Sequence, residues 1–291
     1  MPEHVVVIGV GLIGGSVARA IKKAGYADRI TGAGRNLQRL ERALELGVVD
    51  HISTNIARAV QDADIVVIAT HMHAYQTVFS AIADHLPEHA LLTDVGSIKS
   101  GVVLDARQYL KNVDRFVPAH PLAGTEQSGV EASFAELFQN HVCVLTPMDE
   151  TDSDAVKEIQ IMWEACGCKV ECMSAGEHDD FLAAVSHLPH LVAYALVNAV
   201  HNLGDGQHEP FKFAAGGFRD FTRIASSSPD MWRDICLGNR EALLRKIDAL
   251  DSELKLLRRA LQEEDGPWLL EEFTSAKRAR DTWLAKQGSG Q

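Results

Sequence analysis

Short apolar runs alternate with longer amphipathic segments through the first half of the chain. Val5 to Ile8, ADIVVIAT and ALLTDVGS are short and largely apolar, as strands buried on both faces of a parallel sheet are. HVCVLTP adds a final strand. The segments between them, such as Leu37 to Leu46, are predicted helices. Strands that alternate with helices predict an α/β domain built on a doubly wound parallel sheet of the Rossmann type.

From about Glu177 onward the pattern becomes almost wholly helical. FLAAVSHLPHLVAYALVNAV is apolar nearly all round, which predicts a helix buried on every side. Pro189 cannot donate a hydrogen bond within that helix, so a kink is expected there. The last long helix carries leucines and an isoleucine at alternating spacings of four and three, a heptad seam that needs a partner helix. Those residues are Leu243, Ile247, Leu250, Leu254, Leu257 and Leu261.

These patterns predict two domains and a homodimer. The polar stretch from Thr146 to Asp154 contains turn and capping residues, so we place the domain boundary there. Residues 1–148 are then a dinucleotide-binding domain, and residues 149–291 an all-α domain for substrate binding and dimerisation.

Composition narrows the class of protein. A formal net charge of −12 argues against nucleic acid or an anionic membrane as a partner, although a local pocket can still hold an anionic substrate. By sequence, we expect no apolar run to reach the roughly 18–20 residues that span a bilayer, and the early first strand is expected to leave no room for a signal peptide. The five cysteines lack framework spacing, and Cys168 and Cys172 alternate on one strand face like small buried hydrophobes. We therefore expect a cytoplasmic protein without a bound metal.

The segment GVGLIG lies between the first strand and the first helix. In such a motif the first glycine permits a tight turn, the second admits a pyrophosphate, and the third lets helix and strand pack closely. The phosphates then bind at the helix N-terminus. Alone, the pattern could be a glycine-rich turn, but its position favours a dinucleotide site. The predicted cofactor-binding residues here are Gly9, Gly11, Leu12, Ile13 and Gly14.

The second strand, RITGAG, ends in Gly34, Arg35 and Asn36 rather than in the acidic residue that usually binds the adenosine ribose. A guanidinium at Arg35 could hold a 2′-phosphate, or it could stack on the adenine or face water. The cofactor is therefore predicted to be NAD or NADP with a slight preference for NADP, and Arg35 and Asn36 are predicted to contact it.

Polar side chains follow two further strands. Thr70, His71 and His73 come after ADIVVIAT, and because no third ligand is evident, a cofactor-pocket wall or plain surface is favoured over a metal site. Ser97 follows the next strand, where it could bind a substrate hydroxyl or the nicotinamide carboxamide, or could cap the following helix. Thr70 and Ser97 are included among the cofactor-binding residues.

HPLAGTEQSG, from His120 to Gly129, follows the strand-like run RFVPA. Its polar composition suits an exposed loop at a strand end, where catalytic residues concentrate. We hypothesise that His120 is the general base of a dehydrogenase.

The helical half offers candidate substrate contacts. Near Pro189, His187 is interpreted as structural and His190 as functional. Arg223 has apolar neighbours in the sequence, so either Asp220 pairs with it or it binds a substrate carboxylate, with Asp220 able to orient it.

The chain resembles the prephenate/arogenate dehydrogenase family of tyrosine biosynthesis. The resemblance rests on GVGLIGGS, TDVGSIK, HPLAGTEQSG, VSHLPH, GGFRDFTRIA and MWRDI, which occur in that order over nearly the whole chain. It implies a Rossmann-type domain followed by a helical dimerisation domain, with the active site between them. It also implies an oxidative decarboxylation with hydride transfer to NAD(P)+, either of prephenate to 4-hydroxyphenylpyruvate or of arogenate to tyrosine.

The resemblance also implies roles for individual residues. His120 would accept the proton of the ring hydroxyl as hydride leaves, and Ser97 would hydrogen-bond that hydroxyl. Arg223 would hold a substrate carboxylate, and His190 would contact the side chain, which favours prephenate and leaves arogenate open. The remaining substrate-binding residues implied are Glu126 and Asp220, which shape the entrance by ion pairing, and Gly216.

Two other classes of protein compete with this interpretation. A two-domain 3-hydroxyacid dehydrogenase usually relies on a lysine in its helical half, whereas the apolar helix here contains histidines. A non-catalytic dinucleotide sensor would keep the glycine loop but would not need His120, Ser97 and Arg223 together.

Overall fold

The computed structural model describes residues 1–125, 127–204 and 210–288. Its first compact unit, Met1–Arg240, contains a six-stranded sheet in which every described pair of strands is parallel. In chain order the strands are β1 (His4–Ile8), β2 (Arg29–Ala33), β3 (His51–Ser53), β4 (Ile65–Ile68), β5 (Leu91–Asp94) and β6 (Phe116–Val117). Their spatial order is β3-β2-β1-β4-β5-β6. The chain therefore adds strands in one direction from β1 to β3 and in the opposite direction from β4 to β6, so the order of connection reverses between β1 and β4. The predicted doubly wound parallel sheet is confirmed, and ligands of such sheets bind at the carboxyl ends of the strands near that reversal.

Helices cover this sheet and bury its apolar strands. They are α1 (Leu12–Ala24), α2 (Leu37–Glu45), α3 (Ile56–Ala59), α4 (Tyr75–Ile82), α5 (Ser100–Tyr109) and, after the sheet, α6 (Ser153–Ala165). Every residue of β1 is buried, as its continuous apolar run predicts. Gly25 ends α1 in the left-handed conformation, with φ of 60°, and its N–H reaches back to the last turn.

A second, three-stranded sheet carries His120. It consists of β7 (Ala119–Pro121), β8 (Val142–Leu145) and β9 (Lys169–Cys172), with β7 antiparallel and β9 parallel to β8. The prediction that RFVPA is one strand is wrong, because Pro118 separates β6 from β7 and its carbonyl instead accepts a hydrogen bond from Thr146. The prediction that His120 lies in a loop is also wrong, since it pairs with Val144 inside a strand.

The same sheet bears on two further expectations. Since β9 pairs with β8, the chain up to Cys172 shares this sheet, and the predicted boundary between residues 148 and 149 falls in the connection from β8 to α6. That boundary stays a prediction. Cys168 is buried as expected, and Cys166 is buried too. Cys172 lies in β9, where every residue except the partly buried Val170 is exposed, so its expected burial is wrong.

The helical part of this unit begins with one long, irregular helix. It consists of α7 (Ala175–Leu182), a π turn (Ala183–His187) and α8 (Leu188–His201). Two shorter helices follow, α9 (Gly216–Thr222) and α10 (Pro229–Gly238). Ser174 and Glu177 form a capping box at the start of α7. The irregularity expected near Pro189 takes the form of the π turn just before it.

Two expectations about this helix are corrected. The helix Ala175–His201 has 27 residues and is long and apolar enough to cross a membrane by length and composition, because the π turn joins two shorter segments. Hydrogen bonds between its side chains and neighbouring elements, described below, are those of a helix packed within the protein. It is not buried on every side in the single chain: Val185 is 74% exposed, and only Ala193 of α8 is buried.

In the second compact unit, Glu241–Gln291, the described residues form two long helices. They are α11, which begins at Arg240 (Arg240–Gln262), and α12 (Gly266–Gly288). Asp265 caps α12 by accepting a hydrogen bond from the Trp268 N–H at 3.0 Å. The predicted heptad seam lies on α11, where Leu254 and Leu261 are 54% and 66% exposed in the single chain. This exposure leaves part of the seam uncovered.

Candidate active site

The turn after β1 is shaped by three glycines that differ in what surrounds them. Gly9 has a φ of +98°, and a Cβ there would lie 2.6 Å from the Ala69 carbonyl oxygen. A Cβ on Gly14 would lie 2.1 Å from the carbonyl oxygen of Gly9. A Cβ on Gly11 would meet no protein atom within 4 Å. The first and third glycines therefore allow close packing, whereas Gly11 faces open space.

That open space lies at the N-terminus of α1. Gly11 is the N-cap and provides no side chain to cap the helix, so the N–H groups of the first turn, which includes Leu12 and Ile13, are available to an anion. The residues present fit the pyrophosphate of a dinucleotide, because any side chain at Gly11 would occupy the room that it needs.

The carboxyl end of β2 has a cationic and a capping residue. Arg35 is exposed. Asn36 is the N-cap of α2, and its side-chain oxygen accepts a hydrogen bond from the Arg39 N–H at 3.0 Å. Since the Asn36 oxygen is already engaged, Arg35 is the stronger candidate of the two for contact with a cofactor.

Beyond β4, the three predicted residues have different surroundings. The Thr70 hydroxyl is buried and has no hydrogen-bond partner among the described residues, so it can bind a ligand. His71 and His73 are exposed and stack with ring centroids 5.8 Å apart. His73 Nδ1 lies 2.8 Å from Oδ2 of Asp234 on α10. Over the part of the chain that the structure describes, no group of three His, Cys, Asp or Glu residues could hold a metal ion.

A buried ion pair fixes the strand that carries His120. Lys99 Nζ lies 2.5 Å from Asp94 Oδ2, and both side chains are fully buried. Lys99 also donates to the Ala119 carbonyl at 2.7 Å, while Asp94 Oδ1 accepts from the Ala119 N–H at 3.0 Å. The Tyr75 hydroxyl donates to the same carboxylate at 2.9 Å. Both backbone groups of the residue before His120 are thus held by one ion pair.

His120 is held from its other side by α7. Its Nδ1 lies 2.9 Å from Nε2 of His178, and His178 Nδ1 lies 2.8 Å from Oδ1 of Asp179. The Asp179 carboxylate also accepts the backbone N–H groups of Lys99 and Ser100, each at 2.8 Å. A chain of hydrogen bonds therefore runs from the start of α5 through Asp179 and His178 to His120.

This environment keeps His120 neutral. Although the residue retains some exposed surface, loss of water around the ring, together with His178 and Lys99, lowers its pKa well below the usual histidine value. Near neutral pH the imidazole is therefore uncharged and can accept a proton.

The capping interpretation of Ser97 is wrong. The helix α5 begins at Ser100, and its first N–H groups are satisfied by Asp179, a residue 79 positions away in sequence. Ser97 itself is partly exposed beyond the carboxyl end of β5. Its hydroxyl is consequently not needed for the helix terminus.

Asn239 extends the buried network to His187. Its side-chain N–H₂ donates to the Asp179 carbonyl at 2.7 Å and to His187 Nδ1 at 3.1 Å. Burial lowers the pKa of His187 to about 4, so this ring is neutral and accepts that hydrogen bond. The structural role expected for His187 agrees with this arrangement.

His190 lies one turn further along and stacks on an indole ring. The ring centroids of His190 and Trp232 are 3.6 Å apart, and the ring planes are inclined by 20°. His190 Nδ1 lies 2.9 Å from the carbonyl oxygen of Ser186. Contact with that acceptor indicates a proton on Nδ1 in the neutral ring, which leaves Nε2 as the nitrogen able to bind a ligand.

The remaining substrate-binding candidates surround α9. Arg223 and Thr222 border a cavity of about 420 Å³ that is also lined by Phe218, Arg219 and Ser226. Gly216 is the exposed first residue of α9. Arg219 Nε lies 3.7 Å from Asp220 Oδ1, which makes Arg219 an ion-pair partner of Asp220. Glu126 lies outside the described residues.

The sequence interpretation missed four residues of this site. It assigned no role to His178, Asp179, Asn239 or Trp232, and it treated Asp94 and Lys99 only as part of a strand end. The available signal was the adjacent pair His178–Asp179, two polar residues in α7 just before the largely apolar α8. Their partners lie far away along the chain, so spacing did not link them to His120.

Comparison with known proteins identifies the family. A family model described as prephenate dehydrogenase, nucleotide-binding domain, matches residues 17–172. A second model, described as prephenate dehydrogenase, dimerization domain, matches residues 174–275. The chain belongs to the prephenate dehydrogenase family.

Three similar proteins match nearly the whole of this chain. The cyclohexadienyl dehydrogenase of Zymomonas mobilis is 40% identical over 96% of this chain and 95% of its own length. The prephenate dehydrogenase of Bacillus subtilis is 40% identical over 97% of this chain and 76% of its own. A crystal structure of prephenate dehydrogenase from A. aeolicus with hydroxyphenyl propionate and NAD+ superposes with a TM-score of 0.91, at 36% identity, over 96% of this chain and 97% of that one. The predicted family and fold class are confirmed.

Proposed function

We propose that this chain is a prephenate dehydrogenase that converts prephenate to 4-hydroxyphenylpyruvate in tyrosine biosynthesis. The observation that carries the proposal is His120, a neutral imidazole held from two sides in the half of the chain that also contains the glycine turn. The names of the similar proteins support the same reaction.

His120 acts as the general base in this proposal. Its Nε2 accepts the proton of the ring hydroxyl while the C–H bond at the same carbon breaks and a ring carbonyl forms. The glycine turn at Gly9, Gly11 and Gly14 would hold a nicotinamide dinucleotide, which would supply the hydride acceptor when bound. The bond from the ring to its carboxylate then breaks, CO2 leaves, and the electron pair makes the ring aromatic. The protonated His120 can return its proton to the phenolate oxygen.

The other candidate residues bind and orient the substrate. Ser97 hydrogen-bonds the ring hydroxyl, and Arg223, beside the cavity at α9, pairs with a substrate carboxylate. The stacked His190 directs Nε2 to the substrate side chain. Asp220, Gly216 and Glu126 remain predicted substrate-binding residues.

For the cofactor we propose a preference for NADP over NAD. Exposed Arg35 at the carboxyl end of β2, together with the missing acidic residue, supports this preference. Charged hydrogen bonds contribute about 1.5–3 kcal/mol. Replacement of Arg35 by Ala should therefore reduce kcat/KM for NADP by roughly 10- to 100-fold and leave kcat/KM for NAD nearly unchanged. Equal losses with both cofactors would contradict the proposal.

We further propose that the chain is a cytoplasmic homodimer through its helical half. The match to a dimerization-domain model supports a dimer, as do Leu254, Leu261 and Val185, which are exposed in the single chain. Sedimentation at micromolar concentration should give twice the mass of the chain.

The function is tested by a grid of prephenate and arogenate against NAD and NADP, with formation of reduced cofactor as the readout. We expect turnover with prephenate, and the ratio of kcat/KM for the two substrates measures how far arogenate is also accepted. If no combination gives turnover, the proposed function is wrong.

A further inference from the structure

Two backbone N–H groups make the Asp179 carboxylate a hydrogen-bond acceptor. Its Oδ1 accepts the Lys99 N–H and its Oδ2 accepts the Ser100 N–H, both at 2.8 Å. Backbone N–H groups can only donate, so both carboxylate oxygens must act as acceptors here. The helix dipole at the start of α5 also favours a negative charge at this position.

The fixed carboxylate determines where His178 carries its proton. Because Oδ1 of Asp179 is an acceptor, His178 Nδ1, at 2.8 Å, must be the protonated nitrogen. In the neutral ring the other nitrogen, Nε2, is then an acceptor. Its neighbour at 2.9 Å is His120 Nδ1, which must donate.

We propose that His178 and Asp179 are positioning residues that hold His120 in the tautomer with hydrogen on Nδ1 and none on Nε2. This inference rests on the proposed function, in which Nε2 of His120 accepts the substrate proton. The opposite tautomer would point an N–H at the hydroxyl and could not act as a base.

Burial makes this arrangement rigid. His178 is fully buried and Asp179 is 5% exposed, so water does not compete for either group. Burial alone raises the pKa of Asp179, but the hydrogen bonds from His178 and Ser100 outweigh it and lower the pKa below its usual value. Asp179 therefore stays ionised, and it can stabilise the imidazolium that forms when His120 accepts a proton.

Ring nitrogen NMR of histidine-labelled, ligand-free protein tests the hydrogen positions directly. We expect the His120 signals, assigned by their loss in His120→Asn, to show a protonated Nδ1 and an unprotonated Nε2. In Asp179→Asn the amide must turn an N–H₂ towards one of its three donors, and we expect the fraction of His120 with a protonated Nε2 to increase. A wild-type protein with the proton on Nε2 would overturn the proposal, whether or not prephenate is the substrate.

Kinetics test the same proposal through the split between kcat and KM. Asp179→Asn should lower kcat by about 10²–10⁴-fold, the range for loss of a general base, while KM and the cofactor dissociation constant change by less than about threefold. The matched control Asp180→Asn changes the neighbouring carboxylate of the same helix and should leave kcat near that of the wild type.

If Asp179→Asn does not fold, His178→Phe keeps the volume of the ring and removes the acceptor for His120, with the same fall expected in kcat. An unchanged kcat in the folded variant would overturn the proposal.

Discussion

The glycine turn and the His120 site are built on opposite principles. At the turn, the proposed dinucleotide site depends on the absence of side chains: Gly11 leaves open space, and Gly9 and Gly14 allow backbone to approach backbone. At His120, the proposed role as general base depends on two buried, hydrogen-bonded side chains, those of His178 and Asp179. Dinucleotide binding at the turn should therefore weaken when a side chain is added, whereas catalysis at His120 should slow when a hydrogen-bond partner is removed.

The largest effect on stability is expected from the ion pair under His120. Lys99→Met removes the cation from a fully buried pair and leaves Asp94 uncompensated. Loss of one partner of a buried pair costs about 3–5 kcal/mol. Chemical denaturation should show a decrease of that size in the free energy of unfolding. The double variant Asp94→Asn/Lys99→Met removes both charges and should recover part of the loss, and no recovery would contradict the account.

A pair of alanine substitutions separates the two roles of the glycines. Gly14→Ala places a Cβ in contact with the Gly9 carbonyl, and such overpacking costs about 1–3 kcal/mol of stability. Gly11→Ala adds its Cβ in open space, so the free energy of unfolding should stay within about 0.5 kcal/mol of the wild-type value. Its dinucleotide affinity, measured by titration calorimetry, should nevertheless fall by roughly 10-fold or more. Unchanged affinity in Gly11→Ala would show that the open space is not the cofactor site.

The smallest effect is a dependence of stability on pH through His187. Its folded pKa of about 4 lies below the unfolded value of about 6.5, so the unfolded state binds more protons between these values. Stability should therefore fall as the pH drops from 6.5 towards 4, by at most about 2 kcal/mol from this group at pH 5. Denaturation at pH 7 and pH 5 should show a smaller difference in His187→Phe than in the wild type. An equal difference in both proteins would contradict the assignment.

Contiguous features were predictable from the sequence because local physics alone determines them. The run Val5 to Ile8 and the glycines of GVGLIG lie side by side in the chain, and both the strand and the turn formed as predicted. Family resemblance through the motifs around His120 and Arg223 was confirmed by the family models.

Features that join distant residues were not predictable in the same way. Asp179 accepts a hydrogen bond from Ser100, which is 79 positions away in sequence. Asn239 donates to the Asp179 carbonyl across 60 positions. No rule of sequence spacing connects residues so far apart. At Pro118 the strand-like run RFVPA is divided between β6 of the first sheet and β7 of the second. This division depends on the pairing of β7 with β8, which is a tertiary contact, and not on the sequence of the run itself. Local patterns thus indicated His120 as a candidate catalytic residue but did not indicate the residues that hold it.

A double-mutant cycle in kcat tests the central claim, that His178 and Asp179 act through His120, most directly. The cycle uses His120→Asn, Asp179→Asn and the variant that carries both substitutions. Residues that act as a unit are strongly non-additive, so the double variant should have a kcat within about threefold of His120→Asn alone. Losses that multiply, so that the double variant is slower by the product of the two single effects, would contradict the claim.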